Sequence, residues 1–311
     1  MKKISILIPT YNEEGNIPVA YNRITQVFKQ QLPGYDYEIL FIDNDSSDSS
    51  RQLIIQLAED DKKVKAIFNA QNFGWMRSSV YGLINATGDA VVFLAADMQE
   101  PPELIPQFVS EWEQGYKIVI AIKNKSKESR LKYFLRSVYY KVIKHIADID
   151  HIDHFTGFGL YDRKFIDVLK NLNDSMPYLR GIVSELGFKH KKVYFEQNER
   201  KIGKTKFNFF SLYDLALLGI TSYSKVGMRC ATIIGFVASV LSLIIALYSL
   251  ISKLLYWDSF ALGMAATTIG VFLLGSLQLF FIGLLGEYIL NINTRVMNRP
   301  LVIEEQRINF E

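Results

Sequence analysis

Five short apolar runs punctuate the first part of the chain, at 4–8, 38–42, 64–68, 90–95 and 117–122, and each is partly β-branched. Runs of that length and kind read as buried strands of a sheet covered on both faces. Between the first two, Ile17, Ala20, Ile24, Val27 and Phe28 recur at helical spacing; between the next two, Leu53, Ile54, Leu57 and Ala58 do the same. The alternation predicts an α/β domain with a mostly parallel sheet. In such a sheet ligands bind beyond the carboxyl ends of the strands, so the strand-end loops are the places to look for chemistry.

The pattern changes near the end. Residues 230–252 and 259–286 carry no charge at all, and only a short segment with Lys253, Trp257 and Asp258 divides them. Roughly 20 apolar residues cross a bilayer core of about 30 Å, so each run is long enough to be a membrane helix. Neither lies at the N-terminus, which excludes a removable signal peptide for both. Lys201, Lys204, Lys206, Lys225 and Arg229 precede the first run, and Arg295 and Arg299 follow the second. By the positive-inside rule a two-helix hairpin then has both chain ends in the cytoplasm. The expectation is a multi-pass protein of the cell membrane whose catalytic domain faces the cytoplasm.

Composition agrees with that division. At 49% hydrophobic and 22% charged residues, the chain is neither disordered nor a small disulfide scaffold. Its one cysteine, Cys230, has no internal partner to oxidise with. A net charge of +3 is too small to argue for a nucleic-acid partner, and none is expected.

Three strand-end loops carry unusual residues. The first reads Pro9-Thr10-Tyr11-Asn12-Glu13-Glu14, the second Asp43-Asn44-Asp45-Ser46-Ser47-Asp48, and the fourth Ala96-Asp97-Met98-Gln99-Glu100-Pro101-Pro102. Taken alone, the second is as readily a turn with a helix N-cap at Ser47 or Asp48. Together with Asn72-Phe73-Gly74, Gly82 and Gly88-Asp89, the loops resemble the family 2 glycosyltransferases of the GT-A fold. Later stretches narrow this: 156–163, Leu179-Arg180-Gly181, 200–206 and 283–288 resemble the polyprenyl-phosphate group that includes bactoprenol glucosyltransferase and dolichol-phosphate mannose synthase.

The resemblance implies a division into a GT-A domain at 1–206, a juxtamembrane amphipathic segment at 207–225, two transmembrane helices within 226–290 and a cytoplasmic tail at 291–311. It places Asp43 against the base of a nucleotide-sugar, with Pro9, Tyr11 and Glu13 walling the pocket. The family's acidic metal motif falls on Ala95-Ala96-Asp97 with Gln99, oxygen ligands suited to Mg²⁺ or Mn²⁺. Arg200 and Lys206 match a loop that closes over the pyrophosphate. Arg130, Arg136 and Ser137 match a helix that contacts the acceptor's lipid phosphate. The implied reaction is inverting transfer of a hexose from a nucleotide diphosphate sugar, UDP-glucose or a similar UDP-sugar, to undecaprenyl phosphate.

Two positions depart from the family. Many members have aspartate where this chain has Ala95, and many read Gly-Asp-Phe-Arg-Leu where it reads Thr156-Gly157-Phe158-Gly159-Leu160. The second change removes an aspartate sometimes assigned as catalytic base and leaves Asp153 as the nearby substitute. A phosphate acceptor with a second pKa near about 6 is already nucleophilic at neutral pH, which lessens the need for a base. His151, Asp153 and His154 lack the cysteine or helical histidine spacing of a zinc site. Small residues at Gly263, Gly270, Gly275, Gly283 and Gly286 make a homo-oligomer through close helix packing an open expectation. Two other readings stay open: a catalytically impaired nucleotide-sugar-binding subunit, and a processive polysaccharide synthase, against which stand the lack of a Gln-x-x-Arg-Trp motif and the presence of only two spans.

Overall fold

The computed structural model describes residues 1–125, 152, 155–197, 233–238, 240, 241, 244, 248, 251, 255 and 264–310. The chain begins with β1 (Lys3–Thr10), α1 (Ile17–Gln31), β2 (Asp36–Asp43), α2 (Ser50–Asp60), β3 (Val64–Asn69), α3 (Trp75–Asn85) and β4 (Ala90–Phe93). These strands pair in parallel in the order β3-β2-β1-β4, as the alternation of strand and helix patterns requires. The expected strand at 90–95 stops at Phe93, freeing Leu94 and Ala95 to begin the next loop.

The remaining elements are α4 (Ile105–Glu113), β5 (Ile118–Lys125), β6 (Phe155–Asp162), α5 (Arg163–Leu172), α6 (Leu179–Glu185), β7 (His190–Glu196), α7 (Met264–Val296) and β8 (Glu304–Ile308). β6 lies antiparallel between β4 and β5, and β7 pairs in parallel with β5. The segment 291–311, expected as a tail, carries β8, which returns to the far edge and pairs antiparallel with β3. The sheet described has eight strands in the order β7-β5-β6-β4-β1-β2-β3-β8, of which β4, β1, β2 and β3 form a parallel run.

Side-chain alternation on β1 divides the core. Ile4, Ile6 and Ile8 face α1, α2 and α4, packing with Ile17, Ile24, Phe28, Ile54 and Phe108. Leu7 faces the other way, joining Val80 and Leu83 of α3 and Phe165 and Ile166 of α5. The five apolar positions read as the inner face of α1 are all buried.

Among the described residues no helix is long and apolar enough to cross a membrane. Many side chains in the first half of the 33-residue α7 lie outside them. Those described on its later turns, among them Leu279, Phe280, Ile282, Ile289 and Leu290, are exposed.

Candidate active site

Parallel pairing brings the carboxyl ends of β2, β1 and β4 to one rim, with β1 in the middle and Thr10 in register with Asp43. The loops leaving these strands are stitched together by polar side chains. Asn12, held at φ +53°, accepts hydrogen bonds at its amide oxygen from the backbone N–H of Ser47 (2.7 Å) and the Ser47 hydroxyl (3.3 Å). Its own N–H donates to the Ser46 hydroxyl, and that of Glu13 to the Ser50 hydroxyl, each at 2.8 Å. Asn44 ties in the third loop, accepting from Asn69 and from the N–H of Phe73 at 3.0 Å and donating to Asn72 at 2.8 Å. Asparagine suits these corners because it both donates and accepts and tolerates left-handed backbone.

Asp43 is 1% exposed, and its carboxylate accepts from the N–H and the hydroxyl of Ser46. Burial pushes its pKa up, opposed by the Ser46 bonds and the nearby Arg51 guanidinium. Arg51 lies over the Phe68 ring and is paired at 2.7 Å with Glu305 of β8. The helix after this loop starts one to two residues later than its sequence suggests, with Ser49 as N-cap. Asp48 turns back to accept from Ser50 at 3.0 Å and from Glu14 at 3.3 Å, so the serine and aspartate cluster joins loops as well as starting a helix.

The fourth loop folds around a buried acid. Glu100 is 5% exposed; one carboxyl oxygen accepts from the Thr156 hydroxyl at 2.6 Å and the other from the Ala95 N–H at 3.2 Å. Burial raises its pKa to about 7, with neighbouring Asp97 adding to the rise and Arg180 opposing it. The next residues present Asp97, partly exposed, whose carboxylate accepts from the Gln99 N–H at 3.3 Å, with Met98 between them at φ +54°.

The rim therefore gathers Pro9, Tyr11, Glu13, Asp43, Asp97 and Gln99 from three neighbouring strand ends, with Tyr11 37% exposed at its outer edge. Arg130, Arg136, Ser137, Asp153, Arg200 and Lys206 lie outside the described residues, as do His151 and His154. The sequence reading passed over Asn12, Asn44 and Glu100 as individual residues. The signal for the first two was their place in otherwise acidic loops; burial of Glu100 has no local signature.

Both departures have a structural context. Gly157 sits at φ +108°, so any side chain there is strained although the nearest atom to an added Cβ, on Phe93, is 3.6 Å away. At Gly159 an added Cβ would collide with the Val119 carbonyl oxygen, because β5 passes directly against it. Among the described residues no group of three or more His, Cys, Asp or Glu side chains is placed to hold a metal. The oxygen donors of Asp97 and Gln99 nevertheless fit Mg²⁺ or Mn²⁺, since such ions bind through one or two carboxylates and complete their shell with substrate phosphates and water. Glu100, engaged by Thr156 and Ala95, braces the loop from behind.

A mostly parallel sheet with acidic loops at one rim has the form of a GT-A-like α/β fold, and sequence comparison agrees: residues 5–170 match Glycosyl transferase family 2. The chain belongs to that family and is a glycosyltransferase. It is 34% identical over 302 residues to the SfII prophage-derived bactoprenol glucosyl transferase of Shigella flexneri, covering 97% of each chain. It is 33% identical over 308 residues to the uncharacterized glycosyltransferase YkcC of Bacillus subtilis, covering 99% of this chain and 94% of that one. Among solved structures, glucosyl-3-phosphoglycerate synthase from Mycobacterium tuberculosis with Mn²⁺, UDP-glucose and phosphoglyceric acid aligns at a TM-score of 0.48 and 15% identity, covering 71% of this chain and 78% of that one.

Proposed function

We propose that this chain transfers a hexose, with inversion, from UDP-glucose or a similar UDP-sugar to undecaprenyl or another polyprenyl phosphate at the cytoplasmic face of the cell membrane. The observation that carries this reading is the extent of likeness to a protein named for bactoprenol glucosyl transfer: it runs through 97% of the chain, apolar C-terminal part included. In this reading residues 226–290 form the membrane hairpin, and the amphipathic segment 207–225 lies in the cytoplasmic membrane interface and brings the domain at 1–206 to the lipid headgroups. Support for the hairpin comes from the uncharged runs 230–252 and 259–286 and from the later turns of α7, which expose Leu279, Phe280 and Ile282.

In this reading Asp43 accepts the N3–H of uracil. Its carboxylate has lone pairs beyond the two engaged by Ser46. Pro9, Tyr11 and Glu13 wall the nucleotide, and Asp97 with Gln99 holds Mg²⁺ or Mn²⁺. That ion supplies neutralisation of the charge that grows on the departing diphosphate. Arg200 and Lys206 bind phosphate oxygens of the donor; Arg130, Arg136 and Ser137 bind the acceptor phosphate. An acceptor phosphate oxygen forms the new bond to the anomeric carbon as the bond to UDP breaks and UDP leaves with its electron pair. Because that oxygen is anionic at neutral pH, positioning takes over most of what a base would do, and Asp153 is the residue available should a proton need a place.

The test is transfer from a panel of radiolabelled UDP- and GDP-sugars to undecaprenyl phosphate by the purified full chain, with Mg²⁺ or Mn²⁺ and with chelator. Metal-dependent label in the lipid fraction from one donor is the expected result. Nucleotide-sugar binding without lipid label from any donor would replace this reading with that of a binding subunit, the alternative raised by Ala95 and Gly157.

A further inference from the structure

At the seam where the chain leaves α7 for β8, Lys170 and Arg299 line a cavity and Arg77 lies behind it, none of them in an ion pair among the described residues. The turn after α5, the outer face of α3 and the segment 298–301 enclose a cavity of about 220 Å³, whose lining includes Lys170, Asn173, Ser175, Asn298 and Arg299. Lys170 and Arg299 are exposed, and neither has an ion pair among the described residues. Asp174 also lines the space, but its carboxylate is taken by Arg295 at 3.4 Å and by the Met176 N–H at 3.0 Å. Arg77 lies one turn before Val80, which lines the cavity, and its guanidinium donates to the Pro300 carbonyl at 2.7 Å and lies over the Phe73 ring.

Arg77 is short of counter-charge. Its Nε is buried with no hydrogen-bond partner, and burial together with the nearby Arg299 pushes its pKa below the ordinary value. Arg77, behind the cavity wall, feels the charge of Arg299 in its lining, and an anion bound beside Arg299 offsets that repulsion while supplying an acceptor to the exposed cations. Planar guanidinium groups favour phosphate among anions, and lysine adds a point charge. An adjoining cavity on the same turn is lined by Arg295 together with the carboxylates of Asp174 and Glu185, and so lacks this excess.

We propose that this cavity binds a phosphate group, and that the group belongs to the headgroup of an anionic phospholipid packed beside α7. The lipid source rests on the membrane reading above; the phosphate chemistry does not. The chain leaves the end of α7 at Val296 directly into the cavity wall through Asn298 and Arg299, which is where headgroups stand if the helix is embedded. The site is separate from the expected acceptor-phosphate residues Arg130, Arg136 and Ser137.

The experiment is native mass spectrometry of the full chain in nonionic detergent doped with phosphatidylglycerol or phosphatidylcholine, each with and without millimolar inorganic phosphate. The wild type is expected to retain phosphatidylglycerol in preference to phosphatidylcholine. The exposed-site double variant Lys170→Gln/Arg299→Gln should retain it roughly tenfold less, and Lys170→Arg/Arg299→Lys should keep it. An unchanged melting temperature and sugar-transfer rate in the Gln variant separate failure of this site from failure of the transferase reading. Equal retention by wild type and Gln variant overturns the proposal. Stabilisation by inorganic phosphate alone, lost in the Gln variant and without preference for phosphatidylglycerol, overturns the lipid assignment.

Discussion

Glu38 and Glu100 are both carboxylic acids almost wholly shut away from water, at opposite ends of the same sheet, and they behave in opposite ways. Glu38 stands near the amino ends of the strands and receives the hydroxyls of Ser5 and Thr87 at 2.6 Å, the Thr87 N–H at 2.7 Å, and the ammonium groups of Lys3 and Lys65 at 2.7 and 3.0 Å. Burial alone would raise its pKa; these partners outweigh burial and bring it down to about 2. Among the described residues Glu100 has two hydrogen bonds and no ion pair, with Asp97 nearby, and burial takes it up to about 7. The difference separates an end of the sheet built for stability from an end that leaves charge unbalanced, as sites that bind and react do.

Breaking each end should therefore damage a different property. At the rim, Asp97→Asn is expected to lower sugar transfer on the order of 10³-fold, measured with saturating donor and metal, with little change in melting temperature. Full activity in that variant would sink the role given to Asp97. At the base, Glu38→Ala strands two lysines beside a buried gap and should cost about 3–5 kcal/mol of stability, read by thermal unfolding, while transfer per folded molecule holds.

Acidity sharpens the contrast. Because the folded pKa of Glu38 lies below its unfolded value, its contribution is complete above about pH 4.5 and is lost as pH falls towards about 2. Glu100 has the reverse sign: its folded pKa is raised, so the native state loses stability as pH climbs from about 4.5 through about 7. Glu100→Gln should accordingly gain in melting temperature relative to wild type between pH 5.5 and pH 8. A flat difference over that range would refute the assignment of a neutral buried acid. The smallest effect is expected at Gly157→Ala, where left-handed backbone should cost about 1–2 kcal/mol. Gly157→Asp should consequently fail to improve transfer.

The sequence made the central sheet legible because each of β1 to β4 is short, apolar and followed by a helix whose inner face shows as a 3.6-residue rhythm; Ile17, Ala20, Ile24, Val27 and Phe28 are buried as that rhythm requires. β6 was not legible as a strand, since Thr156, Gly157 and Gly159 interrupt its apolar run and its place depends on antiparallel partners far along the chain. β8 was hidden for another reason: EEQRI is charged and half-exposed, as an edge strand is, and only its pairing with β3 reveals it. At the rim the acidic residues announced themselves by loop position, whereas Asn44 and Glu100 act through partners such as Asn69, Phe73 and Thr156 that no local spacing connects.

The return of β8 to β3 also imposes an order on synthesis. β3 ends at Asn69 and its outer partner starts at Glu304, so a growing chain carries β3 as an open edge until the apolar helix has been made and passed on. An unpaired apolar edge beside an unfinished apolar helix is a hazard for association with other nascent chains. Completion of the apolar helix and closure of the sheet thus become one event in time, and a ribosome stalled between them releases a product with its edge uncovered.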